Sequence, residues 1–83
     1  MSLTATNAEL SRITANGKRQ ACLSVDFSDG TFMGSLIEVA GYHGGGPVPE
    51  ERVRGWLLGN AQEALDFACK VKGAVSTTVK WES

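Results

Sequence analysis

The sequence predicts an α/β fold in which a small hairpin is followed by three to four helices. Asn16-Gly17 stands between two runs of strand-forming residues, and apolar residues from Phe32 onward recur at helical spacing. Glycine or proline separates one run from the next. At 83 residues the chain is bounded to one domain, and a chain of that length buries only about 60% of the surface its unfolded form exposes. Residues 1–8 are expected to form a flexible leader and residues 9–79 the folded segment.

Residues 9–27 carry the hairpin signal. Ile13 and Thr14 precede Asn16-Gly17, the pair that most readily takes the positive φ angles of a type I′ turn. The return arm from Arg19 to Phe27 places Ala21, Leu23, Val25 and Phe27 on alternate positions, so one face is turned to a core. Ser28-Asp29-Gly30 then ends the strand.

From Thr31 the apolar residues Phe32, Met33, Leu36, Ile37 and Ala40 form a helical stripe, with Ser28 or Asp29 as its cap and Gly41 at its end. A charge introduced as Leu36→Asp is accordingly expected to unfold the chain. Tyr42 to Pro47, with three consecutive glycines, reads as a loop. Pro49-Glu50-Glu51 opens the next helix, with Val53, Trp56, Leu57 and Asn60 along it. Gly59 interrupts, and Asn60 with Glu63 has the arrangement of a capping box. Ala61, Ala64, Leu65, Ala68 and Val71 mark a third stripe, closed by Lys70, Lys72 and Gly73. Ala74 to Trp81 fits either a strand, through alternating Val75, Thr77, Val79 and Trp81, or a short helix.

The charges narrow the function classes. Eight basic and nine acidic residues are scattered along the chain for a formal net charge of −1, with no basic stripe of the kind nucleic acid requires. No apolar run approaches the ~20 residues that cross a bilayer, and no basic start leads into an apolar block. Neither nucleic acid nor membrane is expected as a partner. Cys22 and Cys69 lack paired metal-type spacing and are expected as reduced thiols in a cytoplasmic protein. With His43 as the one further soft ligand, no metal site is expected, and His43 itself reads as a solvated loop residue. Trp56 and Trp81 are expected to cover core or interface surface, and Glu50, Glu51, Arg52 and Arg54 a solvated helix face.

The stretch from Val25 to Gly34 carries the chemical interest. A glycine ahead of a helix lets several amides converge, and with the helix dipole they make an anion site. Gly30 and Thr31 would form that site, and Asp29 beside it could act as a base toward a hydroxyl. An ordinary cap gives the same pattern.

Val25-Asp26 and Thr31-Phe32-Met33-Gly34-Ser35-Leu36 resemble the two ends of the signature Asp-Thr-x-Gly-Ala-Gly-Asp-[Thr/Ala]-Phe of ribokinase-like sugar kinases, the phosphofructokinase-B family. Glu63-Ala64-Leu65-Asp66-Phe67-Ala68-Cys69 resembles that family's Ala-Leu-x-Phe-Ala-Asn stretch, and Gly73 to Thr78 the Ala-Leu-Ser-Val-Thr after it. The resemblance covers about residues 9–79 and implies the C-terminal part of a ribokinase-like fold. It implies a carbohydrate kinase that uses ATP with Mg, an adenine nucleotide held near Cys69 and Gly73, and a sugar left unspecified. This chain departs from the signature in two places. Gly30 stands where the family has its catalytic aspartate, with Asp29 one position early, and four residues separate Asp26 from Thr31 where the family has six. Cys69 stands where the family has an asparagine. The expectation is a kinase-like fragment inactive alone, completed by a missing N-terminal part. The alternative is a non-catalytic nucleotide-binding or protein-interaction module acting as a homo-oligomer.

Overall fold

The computed structural model describes residues 3–13, 20–38 and 50–82. The expected turn at Asn16-Gly17, the glycine-rich loop with His43, and Ala40, Gly41 and Pro49 lie outside the described residues. The fold is α/β: strands β1 (Leu3–Ile13), β2 (Gln20–Phe27) and β3 (Phe32–Glu38), helix α1 (Glu50–Lys72), and short strands β4 (Ala74–Val75) and β5 (Lys80–Trp81). The sheet order is β3-β2-β1-β4, with β5 also pairing β1. β2 runs antiparallel to both β1 and β3, while β4 and β5 run parallel to β1.

The hairpin of β1 and β2 follows the alternation in the sequence. Ala21, Leu23, Val25 and Phe27 are all buried, and the ladder with β1 runs on to Ile13↔Gln20. β1 starts at Leu3, so residues 3–8 belong to the sheet and not to a leader. Thr6 is an extra residue in β1, since Ala5 pairs with Phe27 but Asn7 with Asp26. This bulge shifts the side-chain phase, which lets Ala5, Ala8 and Leu10 all face the core. The Thr6 hydroxyl donates to the Asp26 carbonyl at 3.2 Å.

The expected helix from Thr31 is instead β3. Met33, Ser35 and Ile37 turn toward the core and Phe32, Gly34, Leu36 and Glu38 away from it, an alternation of period two. Pairing with β2 from Asp26↔Phe32 to Gln20↔Glu38 supplies backbone bonds along one side of the strand, and Gly34-Ser35 adds little to a helix. Leu36, expected at the centre of a buried stripe, is 55% exposed.

The two later helices are one. α1 is continuous through Gly59 for 23 residues, with Val53, Leu57, Ala61, Leu65 and Cys69 buried on every fourth position. Each step of four overshoots a turn by about 40°, so the buried line runs obliquely across the twisted sheet. Gly59 is on the exposed side, where its cost of about 1 kcal/mol is offset by the burial on either side. Asn60 does not cap a helix; its side-chain amide donates to the Glu38 carbonyl at 3.3 Å. Gly73, at φ 73°, ends α1 after Lys70 and Lys72 as the sequence suggested.

The final segment resolves to strand. β4 and β5 share one register with β1, each partner lying 71 positions on (3 to 74, 10 to 81), and are therefore one interrupted edge strand. The interruption at 76–79 lies opposite the bulge of β1, and α1 bridges it. Gln62 donates to the Thr77 carbonyl at 2.9 Å and accepts from the Val79 amide at 2.9 Å. Trp81 packs beside the core with the Arg54 guanidinium 4.7 Å above its ring.

Candidate functional site

Ser28 to Thr31 join two antiparallel strands, so the strand-to-helix junction that would have formed an anion site is a hairpin turn. The Gly30 amide donates to the Phe27 carbonyl at 3.1 Å, and the Phe27 amide to the Thr31 carbonyl at 2.9 Å. With Gly30 at φ 87°, this is a type I turn closed by a glycine bulge. The turn consumes the groups an anion would need. The Ser28 amide donates to the Thr4 carbonyl at 2.8 Å, and the Thr31 amide to Asp29 Oδ1 at 3.0 Å. Gly30 and Thr31 thus spend their amides inside the protein.

Asp29 is fixed by the same turn. The Thr31 hydroxyl, then its amide, donate to the Asp29 carboxylate and hold its pKa below the ordinary value, with Lys72 adding a smaller pull the same way. A carboxylate so stabilised is a weaker base than a free one. Asp66 is lowered likewise, by the Ser76 hydroxyl first and the Gln62 amide second. A depressed folded-state pKa contributes stability that is present above the unfolded value and lost as pH falls through the folded one. The melting temperature is therefore expected to hold level from pH 7 to about 5 and to fall below about pH 4, with Asp66→Asn removing part of the fall. A melting temperature unchanged at about pH 3 in circular dichroism would contradict these bonds.

The structure brings most of the sequence-derived site residues to one end of the sheet. Leu3 pairs with Ala74 next to Gly73, Thr4 bonds Ser28, and Lys72 reaches over the Phe27 ring at 5.3 Å. That end receives the C-terminus of α1, whose dipole disfavours anions. Cys69, 2% exposed, belongs to the core stripe, where its thiol packs among apolar residues. It offers no surface to a purine.

The residues that sequence reasoning missed are those of β3. Among the described residues β3 stands at the end of the sheet order, paired on one side only. The bond from the Phe27 amide to the Thr31 carbonyl sets the phase of the ladder, so Met33, Ser35 and Ile37 direct their backbone groups to β2. Phe32, Gly34, Leu36 and Glu38 direct theirs to the open edge. The Glu38 carbonyl, bonded by Asn60, agrees with that phase. The same residues carry exposed side chains, with Phe32 at 82% the most exposed of the large apolar residues described. An Asp-Gly turn flanked by alternating residues was the signal that would have found this strand.

No family model matches the chain, and no curated protein or solved structure does so either.

Proposed function

We propose that this chain is a non-catalytic protein-interaction module that works by strand addition at β3. The observation carrying this is the open edge: backbone donors and acceptors at Phe32, Gly34 and Leu36 lie in line with two exposed apolar side chains, among the described residues without a strand beside them. An extended peptide satisfies such an edge through main-chain bonds and gains affinity from alternate side chains. The sugar-kinase reading lacks comparable support in the geometry, because its cradle needs a helix after Thr31 and free amides at Gly30 and Thr31.

The two readings part in one titration series. ATP with Mg is expected to give no heat in calorimetry. A capped seven-residue peptide of alternating Val and Thr is expected to shift the NMR amides of Phe32, Gly34 and Leu36. Heat with ATP and shifts at Asp29 to Thr31 would return the function to the sugar-kinase family; a peptide without effect at β3 would overturn strand addition.

A further inference from the structure

Resting on the strand-addition reading, we propose that the strand received by β3 is β3 of a second copy of this chain, antiparallel about a two-fold axis through Gly34. Three observations converge on this register.

The first is the pattern along the edge. With the axis at Gly34, Phe32 of one copy lies directly opposite Leu36 of the other, twice over. All the residues concerned are ones whose backbone groups point outward, so Gly34 faces its own image as a hydrogen-bonded pair. The pairing covers the two exposed large apolar side chains of β3 at once. An axis at Ser35 also matches the backbone, but it sets Phe32 against Glu38 and Leu36 against Gly34. Cross-strand pairing favours the apolar match.

The second is Gly34 itself. Glycine in the middle of a strand weakens it and often marks the close approach of another backbone. Packing within one copy does not explain it, since a Cβ there would meet nothing nearer than the Leu23 carbonyl at 3.9 Å, an ordinary contact. In the two-fold pair Phe32 is the diagonal neighbour of the partner copy's Gly34, within reach of an aromatic side chain. The ring can then lie over the backbone that glycine leaves bare.

The third is charge. Phe32 to Glu38 contains no lysine, no arginine and no proline, and its one charged side chain, Glu38, accepts from the Gln20 amide. The lysine and proline that commonly guard an edge strand against its own copy are missing from this one. The Gly34 register leaves Glu38 beyond the paired residues, so like charges do not meet.

A seven-residue strand offers less area than a standard interface of about 1,600 Å2, and the dimer is expected to form on the order of tens of micromolar. The test is sedimentation of the full chain from about 1 μM to 1 mM, beside three variants. Leu36→Pro removes an outward amide and leaves the bonds to β2 intact; it is expected to remain monomeric throughout. Phe32→Ser is expected to weaken the dimer tenfold or more, and Phe67→Ser, on the exposed side of α1, to leave it unchanged. Because Leu36→Pro could fail to fold, Gly34→Cys in a Cys22→Ser background supplies an independent check. Cα atoms of a hydrogen-bonded pair lie about 5.5 Å apart, within disulfide range, so mild oxidation by oxidised glutathione is expected to link two copies. A wild-type chain monomeric at about 1 mM, or a dimer indifferent to both Phe32→Ser and Leu36→Pro, would overturn the proposal. If the alternating Val/Thr peptide still shifts the β3 amides, that result removes the second copy as occupant and leaves strand addition standing.

Discussion

Leu57→Ala is expected to destabilise the fold by about 2–5 kcal/mol, while Leu36→Asp in dilute solution changes stability by no more than about 0.5 kcal/mol. Leu57 is completely enclosed at the middle of the buried line of α1, one turn from Val53 and one from Ala61, against the β-sheet core. Removing its branched end leaves a cavity that a close-packed interior fills only in part. Leu36 sits on the opposite face of the sheet, over half exposed, and an aspartate there stays in water. A helix over 31–40 would require the reverse, with Leu36 as the intolerant position. Urea denaturation of the two variants separates these outcomes. An unfolded Leu36→Asp beside a stable Leu57→Ala would invert the assignment of both faces.

Gln62→Ala is expected to cost about 2–3 kcal/mol, a large effect for a polar residue. Its side chain takes the place of a strand neighbour where β4 and β5 part. One amide proton goes to the Thr77 carbonyl and the other to Asp66 at 3.0 Å, while its oxygen receives the Val79 amide. Val79 is part of the core, so its orphaned amide would be cut off from full solvation. Gln62→Glu keeps the acceptor for Val79 but sets a carboxylate against the Thr77 carbonyl and Asp66; it is expected to be destabilising at neutral pH. A Gln62→Ala melting curve superimposable on the wild type would show that water replaces the side chain and that α1 does not bridge the gap.

The hairpin of β1 and β2 was legible because four alternate apolar residues, Ala21 to Phe27, fit no helix. The end of α1 was legible at Gly73 for the same local reason, a left-handed residue after two lysines. β3 was not. Its apolar pairs, Phe32 with Leu36 and Met33 with Ile37, are four apart, a spacing shared by one helical turn and by two strand periods. Gly59 misled for a different reason: an exposed glycine inside a long helix carries the same mark as a boundary.

The site followed β3. Ser28 to Thr31 was legible as a turn, but whether it opens onto a helix or a strand depends on a partner strand and not on the turn. That β3 lies at an open edge was illegible altogether. It follows from β4 and β5 returning beside β1, a pairing 71 positions apart (3 to 74) that no local pattern announces.

Amide hydrogen exchange along Phe32 to Glu38, followed by NMR in dilute solution, tests the open edge most directly. Met33, Ser35 and Ile37 are expected to be protected by their bonds to β2, with Phe32, Gly34 and Leu36 exchanging fast between them. Protection running evenly through all of them would contradict an edge strand, and with it the surface on which the proposed function depends.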